Sequence, residues 1–378
     1  MKLVIAHPFL YVRGGAERVV LKIAQRFDAK IYCALYDKKR TFPEFQNLDI
    51  EVVPSKLFGL MPGVLPIRVR HGISAGEAFY FKKLRDYDVI NAQGTPSEWI
   101  RNRNERVVWY SHTPNREAFD LYHFRMSKRR PHGKAVYWGC IQAYKYFERK
   151  TVPKIEHVFA NSRNTQERLM KYLNLESEIL HPGVEYRDFE CGNYEKYFFY
   201  PSRITPEKRF EYSIKAFKQF KQKKGNENWK LVIAGALMHD RPEHVEYYNW
   251  IREMLGEDGE IRIDLPFPEL KDLYANAYCV VYSPMNEDFG IVPLEAMSSR
   301  KPCIAVNEGG PKEIITPETG FLVNSVEEMA GRMQYLSERP EDVEGMGKKG
   351  RAYVEKNFSW ERFLSRFKDV CMKVGGIS

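Results

Sequence analysis

The sequence predicts an α/β protein built from two doubly wound, parallel-sheet units in tandem. Short apolar runs of strand length alternate with helical patterns almost from end to end, as in parallel sheets covered by helices on both faces. The alternation stops once, in the polar, aperiodic stretch Gly183-Val-Glu-Tyr-Arg-Asp-Phe-Glu-Cys-Gly-Asn193, and then restarts. A length of 378 residues is also more than a single core usually absorbs.

Strands of the first unit are expected at 2–7, 29–35, 50–54, 88–93, 106–112, 157–162 and 178–183. The second unit opens with 197–203 and continues with 230–235, 260–265, 279–283, 302–307 and 320–323. Runs such as Cys279-Val-Val-Tyr-Ser283 are apolar throughout, as strands buried on both faces are. From about residue 326 onward helices follow without strands. The last, Trp360-Glu-Arg-Phe-Leu-Ser-Arg-Phe-Lys-Asp-Val370, gathers Phe363, Leu364, Phe367 and Val370 on one face. That stripe suits a helix that packs back across the first unit. The expected domains are therefore 1–187, 188–358 and a returning terminal helix at 359–378.

Composition narrows the function classes. The hydrophobic fraction of 43% fills two cores. No apolar run approaches the roughly 18 residues that span a membrane. The opening Met1-Lys-Leu-Val-Ile-Ala-His7 turns polar too soon for a signal peptide. Six cysteines at 33, 140, 191, 279, 303 and 371 form no Cys-x-x-Cys pair, and Cys33, Cys279 and Cys303 lie in strand-like runs as small core residues. This fits a reducing cytoplasm, without a zinc site or a disulfide frame. The net charge of +9 admits nucleic acid, anionic lipid or a polyanionic substrate. No clustered basic stripe and no nucleic-acid module is present, so nucleic acid is not an expected partner.

Residues that carry chemistry stand just after strands, where open parallel sheets bind ligands. In Asn286-Glu-Asp-Phe-Gly-Ile-Val-Pro-Leu-Glu295, Glu287 and Glu295 lie eight positions apart. The first precedes a helix and the second sits one turn inside it. Helix-start amides near Gly290 bind anions and hydroxyls, so the pair suits a ligand carrying both. Tyr200-Pro-Ser-Arg203-Ile-Thr-Pro-Glu-Lys208-Arg209 sets two cations, Arg203 and Lys208, at another helix entrance. Cations there oppose the helix dipole, unless an anion such as a diphosphate lies between them. Gly14 and Gly15 in Arg13-Gly-Gly-Ala-Glu-Arg18 let backbone approach a phosphate or sugar. They are not the dinucleotide fingerprint Gly-x-Gly-x-x-Gly. Tyr110-Ser-His112-Thr-Pro-Asn-Arg116 places His112 at a strand end, and Asn307-Glu-Gly309-Gly310-Pro-Lys-Glu313 forms a second glycine-rich loop. Asp86-Tyr-Asp88 precedes a strand, the wrong end for a site, and is read as surface with no metal role.

In their order along nearly the whole chain, these pieces resemble the retaining glycosyltransferases of family 4. The matching residues are Gly14-Gly15-Ala-Glu-Arg, His112-Thr-Pro-x-Arg116, Ala160-Asn161-Ser162, Pro182-Gly-Val184, Ser202-Arg203 with Lys208, Ala234-Gly235, Glu287-x7-Glu295 and Gly309-Gly310-Pro-Lys-Glu. One departure is Lys208-Arg209, where many members have Lys-Gly. The resemblance implies the GT-B fold: two Rossmann-like domains facing a central cleft, the terminal helix packed on the first. It implies that Arg203 and Lys208 clamp a donor diphosphate. Glu295 would bind ribose hydroxyls and Glu287 the transferred sugar, with the amides at Phe289, Gly290 and Ile291 placing sugar and phosphate. Gly15 would let backbone approach the diphosphate, and His112 would bond the sugar near its reacting carbon. No metal or other cofactor is called for. The implied activity is retaining transfer of a hexose from a nucleotide sugar to a glycan or polyprenyl-linked acceptor, with GDP-mannose the first candidate donor and UDP-sugars the alternative. A nucleotide-sugar epimerase or hydrolase on the same fold is the competing enzyme, and a basic nucleic-acid-binding protein the competing class.

Basic residues also stand beside aromatics, at Lys128-Arg-Arg130 with Lys134 before Ala135-Val-Tyr-Trp138, and at Lys82-Lys-Leu-Arg85 after Phe79-Tyr-Phe81. This is the composition of an interfacial surface. It points to peripheral attachment to the inner face of an anionic membrane.

Overall fold

The computed structural model describes residues 1–61, 67–127 and 129–377. The chain divides into two compact units, Met1–Pro182 with Glu361–Ser378, and Gly183–Trp360. Its outgoing and returning passages run side by side. The Val184 N–H donates to Phe358 O at 2.9 Å, and a Cβ on Gly183 would meet the Trp360 backbone nitrogen at 2.7 Å.

Unit 1 contains β1 (Leu3–Ala6), β2 (Phe9–Leu10), β3 (Lys30–Cys33), β4 (Leu35–Tyr36), β5 (Ile50–Val52), β6 (Val89–Gln93), β7 (Val107–Ser111), β8 (His157–Ala160) and β9 (Glu178–Ile179). Seven of them form a parallel sheet in the order β5-β3-β1-β6-β7-β8-β9. Each corresponds to an expected run. The pair β2 and β4 has no counterpart among the expectations, because two residues per strand leave no period to detect. Strand order reverses between β1 and β6, so the C-terminal ends of these neighbours form the switch point where ligands settle.

Unit 2 repeats the plan with β10 (Tyr197–Pro201), β11 (Lys230–Gly235), β12 (Gly259–Ile263), β13 (Cys279–Tyr282), β14 (Cys303–Val306) and β15 (Gly320–Val323). Their order is β12-β11-β10-β13-β14-β15, all parallel, with the switch point between β10 and β13. Phe198, Phe199, Tyr200, Phe210, Tyr274 and Tyr282 fill the core beneath it.

The terminal helix Trp360–Gly375 lies in unit 1 from Glu361 onward. It buries Phe363, Phe367, Val370 and Cys371, while Leu364 is only half-buried. Cys371 therefore completes the stripe that Leu364 was expected to share. Phe363 meets Tyr110 at 5.4 Å, and Phe367 meets Phe27 at 5.9 Å.

One buried feature of unit 1 makes stability depend on pH. Glu98, on the turn Ser97–Asn102, and Glu148, on the helix Pro131–Thr151, are both fully buried. Trp99 Nε1 donates to Glu148 Oε2 at 2.6 Å. Burial raises both carboxyls above their ordinary value, and the neighbouring Glu148 charge raises Glu98 further. These acids hold protons more tightly folded than unfolded. Their contribution is therefore most favourable below the unfolded carboxyl value of 4.5 and is lost as pH rises through the raised values. Glu98→Gln keeps the shape and removes one titration. At pH 4 it should melt with wild type; at pH 8 it should melt about 3 °C higher, or roughly 1 kcal/mol. Thermal melts at both pH values check this, and a gap that does not change with pH rules it out.

Candidate active site

The unit 2 site grows from the ends of β10 and β13. Tyr200, on β10, is fully buried. Its hydroxyl donates to Lys208 O and accepts the Ser283 N–H at 3.0 Å. This pins the turn Pro206–Lys208 against the end of β13. Lys208 is buried, and its Nζ lies 2.6 Å from Glu287 Oε2 and 3.4 Å from the Tyr282 hydroxyl. Burial, then the Glu287 charge, pushes the Tyr282 phenol well above its ordinary pKa, so it faces the ammonium as a neutral oxygen.

The backbone around Glu287 is shaped by the second glycine-rich loop. Gly309 has φ +61°, and a Cβ there would lie 2.3 Å from Glu287 O and 2.6 Å from Glu287 N. A Cβ on Gly310 would meet Phe289 O at 2.1 Å. With no side chains in the way, the Gly310 N–H donates to Glu287 O at 2.8 Å. Gly290 has φ +88°, a left-handed conformation that glycine adopts readily, and turns the chain into the helix Val292–Ser298. Phe289 buries its ring near Phe358, at 6.2 Å. Ile291 caps the helix. Glu295 is buried on the helix, and its Oε2 accepts the Tyr274 hydroxyl at 2.6 Å.

The structure thus brings Lys208 and Glu287 into contact and stations Glu295 on the helix that follows. Arg203, just past β10, is exposed. Gly235 makes this strand end possible, since a Cβ there would meet Ser202 O at 1.7 Å.

In unit 1 the switch point carries a second cluster. His7 follows β1, and its Nδ1 lies 2.8 Å from Gln93 O at the end of β6. His112 follows β7, and its Nε2 is 3.1 Å from Gln93 Oε1. Gln93 Nε2 donates to Asn91 Oδ1 at 2.7 Å. With its amide so assigned, Gln93 turns its carbonyl toward His112, and Nε2 carries the imidazole proton. Burial, then the charge of His7, lowers the His112 pKa to about 3, so the ring is neutral across the working range. Gly14 caps the helix Gly15–Phe27. A Cβ on Gly14 would come within 2.5 Å of Glu17 Oε2, whereas Gly15 faces open space. Glu17 Oε1 lies 3.8 Å from His7 Nε2.

Sequence reasoning missed Tyr200, Tyr274, Tyr282 and Gln93. The tyrosines read as core residues, which they also are. Two polar residues on a buried strand, Asn91 and Gln93 in Val89-Ile-Asn-Ala-Gln93, were the available signal.

Comparison with known proteins bears on the fold and the family. Residues 13–187 match the family model Glycosyltransferase Family 4, and residues 187–353 match Glycosyl transferases group 1. The chain is 27% identical to the alpha-1,3/1,6-mannosyltransferase ALG2 of Mus musculus, over 95% of this chain and 93% of that protein. It is 26% identical to its counterpart in Dictyostelium discoideum, over 99% and 98%. Among solved structures, Anabaena Alr3699/HepE in complex with UDP and glucose superposes with a TM-score of 0.73 at 17% identity, covering 99% of this chain and 100% of that one. The sucrose-phosphate synthase of Thermosynechococcus elongatus superposes at 0.75 and 17%, covering both chains fully. Two matched domains and two Rossmann-like parallel sheets lead to one conclusion: the chain belongs to the GT-B glycosyltransferases of family 4 and is a hexosyltransferase.

Proposed function

We propose that the protein transfers a hexose, with retention of configuration, from a nucleoside diphosphate sugar to a glycan or polyprenyl-linked acceptor. The observation that carries this reading is the Lys208–Glu287 pair at the β10/β13 switch point. Breaking the sugar–phosphate bond leaves negative charge on the diphosphate and an oxocarbenium-like sugar. Fixed cations aimed at that charge are the largest expected catalytic term. The buried Lys208 supplies one and Arg203, exposed just past β10, is the second cation of the reading, so no metal is assigned a step. Glu287 holds the sugar and is not its nucleophile. A retaining hydrolase of the two-carboxylate kind uses a carboxylate free to attack, whereas Glu287 is held by an ammonium. The departing phosphate takes the acceptor proton on the same face. Glu295 receives the ribose hydroxyls, the amides of Phe289, Gly290 and Ile291 meet phosphate and sugar, Gly14 and Gly15 leave backbone open to phosphate, and neutral His112 bonds the sugar.

The names of the mannosyltransferase relatives support mannose, with GDP-mannose the first donor to try. The UDP and UDP-glucose complexes among the structural neighbours keep UDP-sugars as the alternative. The deciding experiment incubates each labelled donor with and without a lipid extract. Label transferred only with acceptor, its anomeric configuration retained, is the expected result. Free or epimerised sugar formed without acceptor points instead to the hydrolase or epimerase.

We further propose peripheral attachment to the inner face of an anionic membrane. Among the described residues, no helix is long and apolar enough to cross one. Phe81, Phe124, Val136, Trp138 and Tyr146 are exposed large apolar side chains, close in sequence to exposed Lys83, Arg130, Lys134, Arg149 and Lys150. Lys128 lies outside the described residues. Co-flotation with anionic vesicles at low salt, weakened by salt, is expected; a protein that stays at the bottom of the gradient overturns the idea.

A further inference from the structure

We propose that Arg209 is a positioning residue for transfer: it locks the Lys208 turn to the Glu287 loop. This rests on the reading that Lys208 and Glu287 serve the donor. Arg209 has φ 48° and ψ 49°, the left-handed region where glycine is at ease and a side chain is strained. Its side chain does what glycine could not. Nε donates to Ser283 O at 2.9 Å, and Nη2 donates to Pro284 O at 3.0 Å and to Glu308 Oε1 at 2.9 Å. The other oxygen of Glu308 accepts the Asn286 N–H at 3.3 Å. In return Ser283 Oγ donates to Arg209 O at 2.9 Å.

The tie is anchored one residue after Lys208 and, through Glu308, one residue before Glu287. It joins the turn after β10, the end of β13 and the loop after β14. A planar guanidinium with several fixed donors can span three acceptors; an ammonium on a flexible stem cannot hold that geometry. The 2.6 Å contact between Lys208 and Glu287 is therefore set by a neighbour that touches neither reactive group. Misplacing a catalytic group by about 1 Å can cost on the order of 10²-fold in rate.

The experiment uses full-length protein, first without ligand, by hydrogen–deuterium exchange. In Arg209→Gly, amides of 285–290 and 207–210 should exchange at least about tenfold faster than in wild type, while β11 and β14 keep their protection. Glu308→Gln should loosen 285–287 alone and covers the case in which the glycine variant does not fold. Unchanged exchange at 285–290 in a folded Arg209→Gly, or at 285–287 in Glu308→Gln, overturns the proposal. The second arm measures turnover with GDP-mannose and with UDP-glucose. A kcat at least about tenfold lower in Arg209→Gly, with donor KM within about threefold and no rescue by Arg209→Lys, separates positioning from donor binding. A raised KM with unchanged kcat makes Arg209 a direct phosphate ligand and also overturns the inference. Lys208→Ala is the control: wild-type rates there defeat the functional reading, whereas an inactive Lys208→Ala beside a fully active Arg209→Gly defeats the positioning role alone.

Discussion

Lys208→Ala is expected to lower kcat/KM for the sugar donor by about 10²–10³-fold, the loss typical of removing one preorganised charge-stabilising group. Lys208 is buried at the end of a turn, and its ammonium is held between Glu287 and Tyr282. On the proposed reading, the group is placed before the donor arrives, so little reorganisation would oppose its action on the leaving diphosphate. The loss should fall mainly on kcat, since charge on the diphosphate grows toward the transition state. Lys208→Arg should rescue poorly, because a larger fork must enter a space already bounded by Tyr282 and Glu287. The fold should survive: the turn is also held through the Lys208 carbonyl by Tyr200, which the substitution leaves in place. Steady-state kinetics on a variant whose circular dichroism matches wild type is the check, and an undiminished kcat would remove Lys208 from the chemistry.

Glu295→Ala should act differently, on affinity. Its carboxylate, buried on the helix after the Glu287 loop, accepts the Tyr274 hydroxyl at 2.6 Å. Burial, then the charge of Glu295, raises the Tyr274 phenol well above its ordinary pKa, so this donor is present throughout the working range. On the proposed reading, this carboxylate accepts from the hydroxyls of the ribose. Hydrogen bonds to a charged acceptor contribute about 1.5–3 kcal/mol, so Kd for the nucleoside diphosphate should rise roughly 10–100-fold, with a smaller change in kcat. Tyr274→Phe should reproduce a fraction of that rise by freeing the carboxylate to turn. Isothermal titration with GDP and with UDP measures both variants. Equal affinities in Glu295→Ala and wild type would detach this residue from the nucleotide.

Much of the architecture was readable from the chain because central parallel strands buried on both faces, such as β10, β13 and β14, leave unbroken apolar runs. All thirteen strands of the two large sheets overlap expected runs, even where polar residues interrupt them as in β5, β9 and β12. The candidate site residues were visible for a related reason: they follow those runs directly. What the sequence hid is who touches whom. Lys208 and Glu287 are 79 positions apart, and their contact depends on β10 and β13 being neighbours, which local pattern does not state. Tyr200, Tyr274 and Tyr282 were hidden because a phenol looks apolar to any periodicity measure, though its hydroxyl organises the site. Arg209 seemed a minor departure from glycine; only its backbone angle and three acceptors reveal a different solution to the same turn. Gln93 was overlooked because a glutamine at the end of a strand carries no motif.

The contact between Gly309, Gly310 and the peptide units of Glu287 and Phe289 has an evolutionary corollary. At this seam main chain lies on main chain, and a single added methyl group has nowhere to go. Substitution at either glycine is therefore expected to be selected against through the fold itself, and any change of donor preference to be written in the side chains bordering the seam.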